Sequence, residues 1–294
     1  MDTLPAEDLR GRGTTAGHLA AQALRVEARL TPKPGLVDAL GSGSHRDMNL
    51  ALLLTSADAL EPWFVALAHL GAQRADVVDI QACGLAAERA MLTATGGVNT
   101  HKGALFSLGW LSAAAGRCLA DGSELTVHSL TAQVSEWTEP VLREWLAQQG
   151  LPHANDPVAP LSPGQRALAA HGLAGVRGQA AAGFPMVRDH GLPGYRTALA
   201  RGWSEDDALL WVLVELMAHN DDTNLAARGG MEALRRVQAW AGDLASSCPS
   251  ADVVRAELAA ADLWFREAWV SPGGSADLLA LTWWLAEVTD VRER

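Results

Sequence analysis

From end to end the chain repeats apolar residues at three- and four-residue spacing. Nowhere does it alternate β-branched and polar residues as a half-buried strand would. Ile80 is its single isoleucine, set among abundant alanine and leucine, so little of the usual strand-forming material is present. The pattern predicts an all-α protein, with helices over 14–30, 48–70, 76–94, 102–120, 127–149, 163–181, 189–201, 205–219, 223–241, 250–269 and 275–289. Ser204 followed by Asp207 marks one helix start, and Ser162 before Pro163 marks another. Pro62 is expected to kink or divide the second helix. The Trp-rich run LLALTWWLAEV near the end reads as core packing.

The chain's 294 residues, 49% of them hydrophobic, are enough to bury a substantial core. No repeat of fixed period appears, and helices on both sides of the Pro/Asn/Asp-containing stretch 151–161 carry motifs of the same kind. The expectation is therefore a single compact multi-helix domain of ten or eleven helices spanning 1–294, with 1–13 flexible. No run of about 18 uncharged apolar residues is present, which argues against a membrane span. The acidic opening MDTLPAEDLRGRG lacks the apolar segment of a signal peptide. Cys83, Cys118 and Cys248 are far apart and form no CxxC pair, as expected of free thiols in a reducing cytoplasm. A net charge of −11 argues against nucleic-acid binding. The eleven tryptophans fit core or interface, so an oligomer is compatible with the sequence.

Lysine and asparagine are rare. Of 23 basic residues only Lys33 and Lys102 are lysine, and asparagine occurs only at 49, 99, 155, 220 and 224. With abundant Ala, Arg and Gly, this suggests codons biased against both residues, so each one retained is a candidate for a task. Both lysines and most of the asparagines fall at junctions between predicted helices.

Five such junctions stand out. The first, 27–49, runs from Glu27 through a Pro- and Gly-rich loop that carries Lys33, Asp38, His45, Arg46 and Asp47. Asp47 also reads as a cap for the next helix, and a solvated turn is the structural alternative for the whole loop. The second, TGGVNTHKGALFSL, uses Gly96 and Gly97 for a turn with positive φ. Asn99 or Thr100 then caps a helix whose N-terminus, flanked by His101 and Lys102, suits an anion. GxxxxGK[ST] is absent, so this is not a Walker loop. The third, 171–185, is rich in small residues for close packing, with Arg177 and Gln179 as polar exceptions. The fourth, HNDDTNLAARGG, crowds Asp221 and Asp222 with Thr223 and Asn224. Adjacent carboxylates repel unless they are solvated or bridged by a cation, and an Asp N-cap is the structural alternative. Arg228 shares a helix face with Asn224. The fifth, SPGGSADLLALT, is explained structurally by Ser275 as an N-cap. Acidic turns suited to Mg²⁺ beside a Lys/His/Arg set are what a polyphosphate ligand requires.

Taken in order, PKPGLVD with GSHRDM, TGGVNTHKGALFSLG, GLAGVRGQAAAGFP, NDDTNLAARGG and SPGGSADLLALT resemble the triphosphoribosyl-dephospho-CoA synthase family over about residues 20–285. Gln179 departs from the Glu that many members carry. The resemblance implies an all-helical enzyme that uses ATP as a ribosyl donor. The 2′-hydroxyl of 3′-dephospho-CoA attacks the anomeric carbon, adenine leaves, and the β-configured donor gives an α-linked product by inversion. That product is the prosthetic-group precursor, passed to a transferase acting on the acyl-carrier protein of malonate decarboxylase or citrate lyase. Mg²⁺ is expected with ATP, held by Asp221 and Asp222. One carboxylate must take the hydroxyl proton, and Glu27, Asp38, Asp47, Asp221 and Asp222 are the candidates, among which the sequence does not choose. Asn99, Lys33, His45, His101, Lys102, Arg177 and Arg228 are expected to bind the phosphates and substrates. A Mg²⁺-dependent N-ribosyl hydrolase of the ADP-ribosylglycohydrolase type and a non-catalytic nucleotide-binding module are the alternatives.

Overall fold

The computed structural model describes residues 6–149 and 171–289. Among these there are eleven α-helices and no strand. They are α1 (Ala6–Arg29), α2 (Leu50–Ala72), α3 (Val77–Ala94), α4 (Lys102–Ala120) and α5 (Val127–Gln149). Then come α6 (Gly175–Ala181), a π-turn (Val187–Gly191) running into α7 (Leu192–Ala200), α8 (Glu205–His219), α9 (Thr223–Ser246), α10 (Ala251–Glu267) and α11 (Gly273–Val288).

Periodicity locates α4, α5 and α8 well, and where it errs the reason is local. The N-terminal helix begins at Ala6, so residues 6–13, expected to be flexible, are helical. Pro62 does not divide α2. The backbone bond it forfeits is to the carbonyl of Asp58, an exposed residue at which water can replace the donor. The expected helix 163–181 and its Ser162–Pro163 start lie partly outside the described residues. Within them the chain turns at Gly172, and α6 opens on Gly175, both at positive φ. α9 runs to Ser246 with a break at Gly230. Ser204 caps α8 as expected, accepting the Asp207 N–H at 3.2 Å. Asn49, rather than Asp47, caps α2, accepting the Leu52 N–H at 2.9 Å. Ser275 is not an N-cap, because α11 already starts at Gly273.

The buried centre is α4, crossed closely by α2. A Cβ on Gly71 would lie 1.9 Å from the Ala113 carbonyl oxygen, and one on Gly116 1.9 Å from that of Ala68. Only glycine lets the two backbones meet there. At the other end of the chain Trp284 is fully buried and donates its Nε1–H to the Ala16 carbonyl at 2.9 Å, tying α11 to α1. Truncating it to Ala is expected to cost roughly 3–5 kcal/mol. Among the described residues α2 alone is long and apolar enough to cross a membrane. Its Leu60, Phe64 and Leu67 are nevertheless buried in the core, and its Asp58 and Glu61 pair with Arg25 of α1, the setting of a core helix. The three cysteines are free.

Candidate functional site

A cavity of about 490 Å³ opens between α3, α4, α6 and the starts of α9 and α11. Residues in the first turns of three long helices line it: Lys102 and Gly103 of α4, Thr223 and Asn224 of α9, Gly274 and Asp277 of α11. Helix N-termini carry partial positive charge, but Asn99 and Asp222 already take the Lys102, Asn224, Leu225 and Ser275 N–H groups, so the capacity to hold an anion rests on the Lys102 and Arg177 side chains. The turn before α4 is built as its sequence suggests. Gly96 and Gly97 take φ of 64° and 89°, and the Asn99 side chain accepts the Lys102 N–H at 3.2 Å.

Of the residues expected at the site, Asn99, Lys102, Arg177 and Asp221 line this cavity, and the others do not. Its rim carries the cations Lys102 and Arg177 beside the carboxylates Glu88 and Asp221. Exposed Lys102 pairs with Glu88 of α3 at 2.5 Å. Arg177 lies 5.7 Å from the Phe106 ring, its pKa lowered chiefly by burial and raised by Glu88. Sequence reasoning missed Glu88, because a single Glu in an amphipathic helix reads as solvent face.

Beneath the cavity lies a buried ionisable layer. Lys33, wholly enclosed, donates Nζ–H bonds to the Glu27 carboxylate at 2.5 Å and to the Glu27 carbonyl at 2.5 Å. It is thus a structural partner of Glu27, not the phosphate ligand expected of it. His101 is buried and its pKa is pushed down to about 3, by burial first and then by Lys33. The ring is neutral at pH 7 and cannot offset phosphate charge. Its Nδ1 meets Ser56 Oγ at 2.8 Å, and Nε2 has no protein partner. Asp38 organises its own loop: one oxygen accepts Leu40 and Gly41 N–H groups at 2.7 and 3.2 Å, the other Lys33 N–H at 3.0 Å.

Asp222 also has a task other than the one expected. Its Oδ1 caps α9 through Asn224 and Leu225 N–H at 2.9 and 3.3 Å. Its Oδ2 accepts the Ser275 N–H and hydroxyl at 2.8 and 3.0 Å, joining α9 to α11. With both oxygens occupied and the side chain buried, it does not form a two-carboxylate metal cage with Asp221. Asp221 is exposed at the cavity and takes a bond from Gln238 Nε2 at 3.3 Å. One carboxylate with substrate phosphates is still a donor set that Mg²⁺ accepts.

A second polar cluster forms outside the cavity lining. Arg228 donates to the Ser44 carbonyl at 2.6 Å and to His45 Nδ1 at 3.1 Å, so His45 Nε2–H donates to Ser271 Oγ at 3.0 Å. Burial, then Arg228, lowers the His45 pKa to about 4, so this His is neutral too. Asp47 is exposed and favours the Arg228 charge. His190, Glu215 and His219 also bring ligand-type atoms within 4.8 Å of one another. The two imidazoles, however, stack at 3.9 Å with planes 19° apart, so their in-plane lone pairs run nearly parallel and do not converge on one ion.

Asp277 is the residue that sequence reasoning passed over. It lies on the cavity, enclosed by protein on its other sides, with the Ala104 N–H nearby favouring its charged form. Burial, then Glu27 and Asp222, raise its pKa well above the ordinary Asp value. A Cβ on Gly103 would fall 2.0 Å from its Oδ2. The signal available in the sequence was its place in the SPGGSADLLALT motif, where Ser275 had seemed explanation enough.

Comparison with known proteins agrees with this reading of the chain. Residues 14–294 match the family model described as CitG: ATP:dephospho-CoA triphosphoribosyl transferase. The chain is 43% identical over 286 residues, 95% of its length and 92% of the relative's, to a probable 2-(5''-triphosphoribosyl)-3'-dephosphocoenzyme-A synthase of Albidiferax ferrireducens. It is 43% identical over 271 residues, 90% and 86% of the two chains, to the synthase of that name from Pectobacterium atrosepticum. A probable synthase of Salmonella typhi is 40% identical over 277 residues, 91% and 89% of the two chains. All three relatives carry the name of a synthase. No solved structure matches the chain. With a family match across nearly the whole length, the chain belongs to the ATP:dephospho-CoA triphosphoribosyl transferase family.

Proposed function

We propose that this protein joins the 5-triphosphoribosyl group of ATP to the 2′-hydroxyl of 3′-dephospho-CoA with release of adenine. The observation that carries the reading is the cavity itself. Lys102 and Arg177 border a space that the starts of three helices enclose and that also holds the Asp277 carboxylate. The cationic side suits a triphosphate and a pyrophosphate. The acidic side suits an anomeric carbon that becomes positive as adenine departs. Donor phosphates replace Glu88 as the partner of Lys102, an exchange that costs little because the pair is half exposed. Mg²⁺ arriving with ATP neutralises part of the triphosphate charge, with Asp221, Thr223 and Asn224 as the neighbouring oxygens.

The product is handed to a transferase that loads an acyl-carrier subunit. An Ala- and Arg-rich composition with one isoleucine fits a GC-rich genome and favours malonate decarboxylase over citrate lyase as the destination. Incubating the protein with ATP and 3′-dephospho-CoA should release adenine in an amount equal to the new coenzyme derivative, with its triphosphate intact. Release of ADP or pyrophosphate, or adenine formed equally well without dephospho-CoA, would overturn the reading. Supplying the product to apo acyl-carrier subunits of each type decides the destination.

A further inference from the structure

We infer that Asp277 is the general base of this reaction, an assignment that rests on the proposed transfer. Its carboxylate takes the proton of the 2′-hydroxyl as that oxygen bonds to C1′ of the ATP ribose. The C1′–N9 bond breaks, its electron pair leaves with adenine, and adenine is protonated at nitrogen from solvent. Asp277 returns its proton to solvent once product leaves, so the cycle is balanced.

The assignment follows from asking what each neighbouring carboxylate has left to give. Glu27 is held by Lys33 at 2.5 Å and does not line the cavity. Asp222 has both oxygens filled by four donors. Asp38 is bound to three backbone N–H groups of its own loop. Asp47 and Asp221 are exposed, with no apolar enclosure to strengthen them as proton acceptors. Glu88 is the partner of Lys102 on the rim. Asp277 differs from all of them. It faces the cavity, protein encloses it elsewhere, and only the nearby Ala104 N–H lends support to its charged form, which leaves its acceptor positions open to substrate.

Gly103 belongs to the same device. Any side chain at 103 would collide with Asp277 Oδ2, so the glycine gives the carboxylate its place at the mouth of α4. Enclosure and the nearby Glu27 and Asp222 raise its proton affinity above that of a solvated carboxylate, which makes it the stronger proton acceptor. The substrate's oxocarbenium-like transition state then sits over an acidic floor.

The test is steady-state and single-turnover kinetics of the full chain with ATP and 3′-dephospho-CoA. Asp277→Asn should lower kcat by about 10²–10⁴-fold with ATP affinity little changed. Asp277→Ala, which opens a gap on the cavity floor, should regain activity with added formate, a response that a purely structural role would not produce. In the wild type, kcat should rise with pH along an acid limb above the ordinary carboxylate range. Asp277→Asn retaining kcat within about threefold, or Asp277→Ala folded but indifferent to formate, would overturn the assignment alone. If neither variant folds, a wild-type acid limb at or below the ordinary carboxylate range overturns it. Wild type that releases no adenine would remove the parent reading and this one together.

Discussion

The rim of the cavity and the buried layer behind its floor carry similar charges under opposite conditions. On the rim, Lys102 and Glu88 face water, with side chains 49% and 24% exposed. In the buried layer behind the floor, Lys33 and Glu27 form the same kind of pair at 0% and 10%. A solvated pair contributes little to stability and can exchange partners, which suits binding. An enclosed pair is costly to form and more costly to break, because the survivor is stranded. Lysine is rare in this chain, yet its two copies do opposite work: one is available to ligand and the other is locked to the protein.

The comparison breaks first at Lys33. Lys33→Met leaves the Glu27 carboxylate buried without a cation and should cost about 3–5 kcal/mol in urea denaturation. Glu27→Gln added to it should recover part of that loss. A cost of Lys33→Met under about 1 kcal/mol would show the buried layer to be solvated like the rim.

Asp222 comes next. Had it been a free metal ligand, Asp222→Asn would leave stability almost unchanged, since Asn caps helices about as well. The structure predicts otherwise. The new amide can keep the α9 cap, but its NH₂ then faces the Ser275 N–H, donor against donor. A loss of about 1–3 kcal/mol is expected by thermal or urea unfolding. No loss would return Asp222 to the candidate ligands.

A smaller effect concerns acid. His101 has a folded pKa of about 3 against the usual value of about 6.5. Between these values the unfolded chain binds a proton that the native one refuses, so stability falls as pH drops through that window and levels off above it. Asp277 and Asp222 act in the opposite sense, holding protons in the native state above the ordinary carboxylate pKa. His101→Asn should therefore flatten the acid slope of the unfolding free energy, and an unchanged slope would show that His101 is not the group being charged.

Much of this was readable in the sequence, and the limits have physical causes. Helical periodicity, the glycine turn before α4 and the Ser204 cap depend on neighbours in the chain, and they are found where the residues suggest. The five charged junctions were also visible, since each is a local break in an apolar pattern. Which of their charges face ligand was not visible. Asp38 and Asp222 look catalytic as letters, but their oxygens are consumed by N–H groups of the loop and of α11. Asp277 looks like a spectator until α4 is packed beside it with Gly103 at the contact. Burial and pairing arise between segments far apart in the chain, and no local pattern encodes them.

The smallest stability effect is also half of the most direct test. Lys102→Ala should change the unfolding free energy by less than about 0.5 kcal/mol, because its partner Glu88 remains hydrated. It should also raise the ATP requirement about 10-fold to 100-fold through loss of a charge-assisted bond. Measuring kcat and KM for ATP in Lys102→Ala beside Asp277→Asn separates rim from floor. The account predicts that the first variant suffers in KM and the second in kcat, with the double variant showing the sum of the two losses. Loss of kcat in both, or an ATP requirement unmoved by Lys102→Ala, would contradict the division between a rim that binds and a floor that reacts.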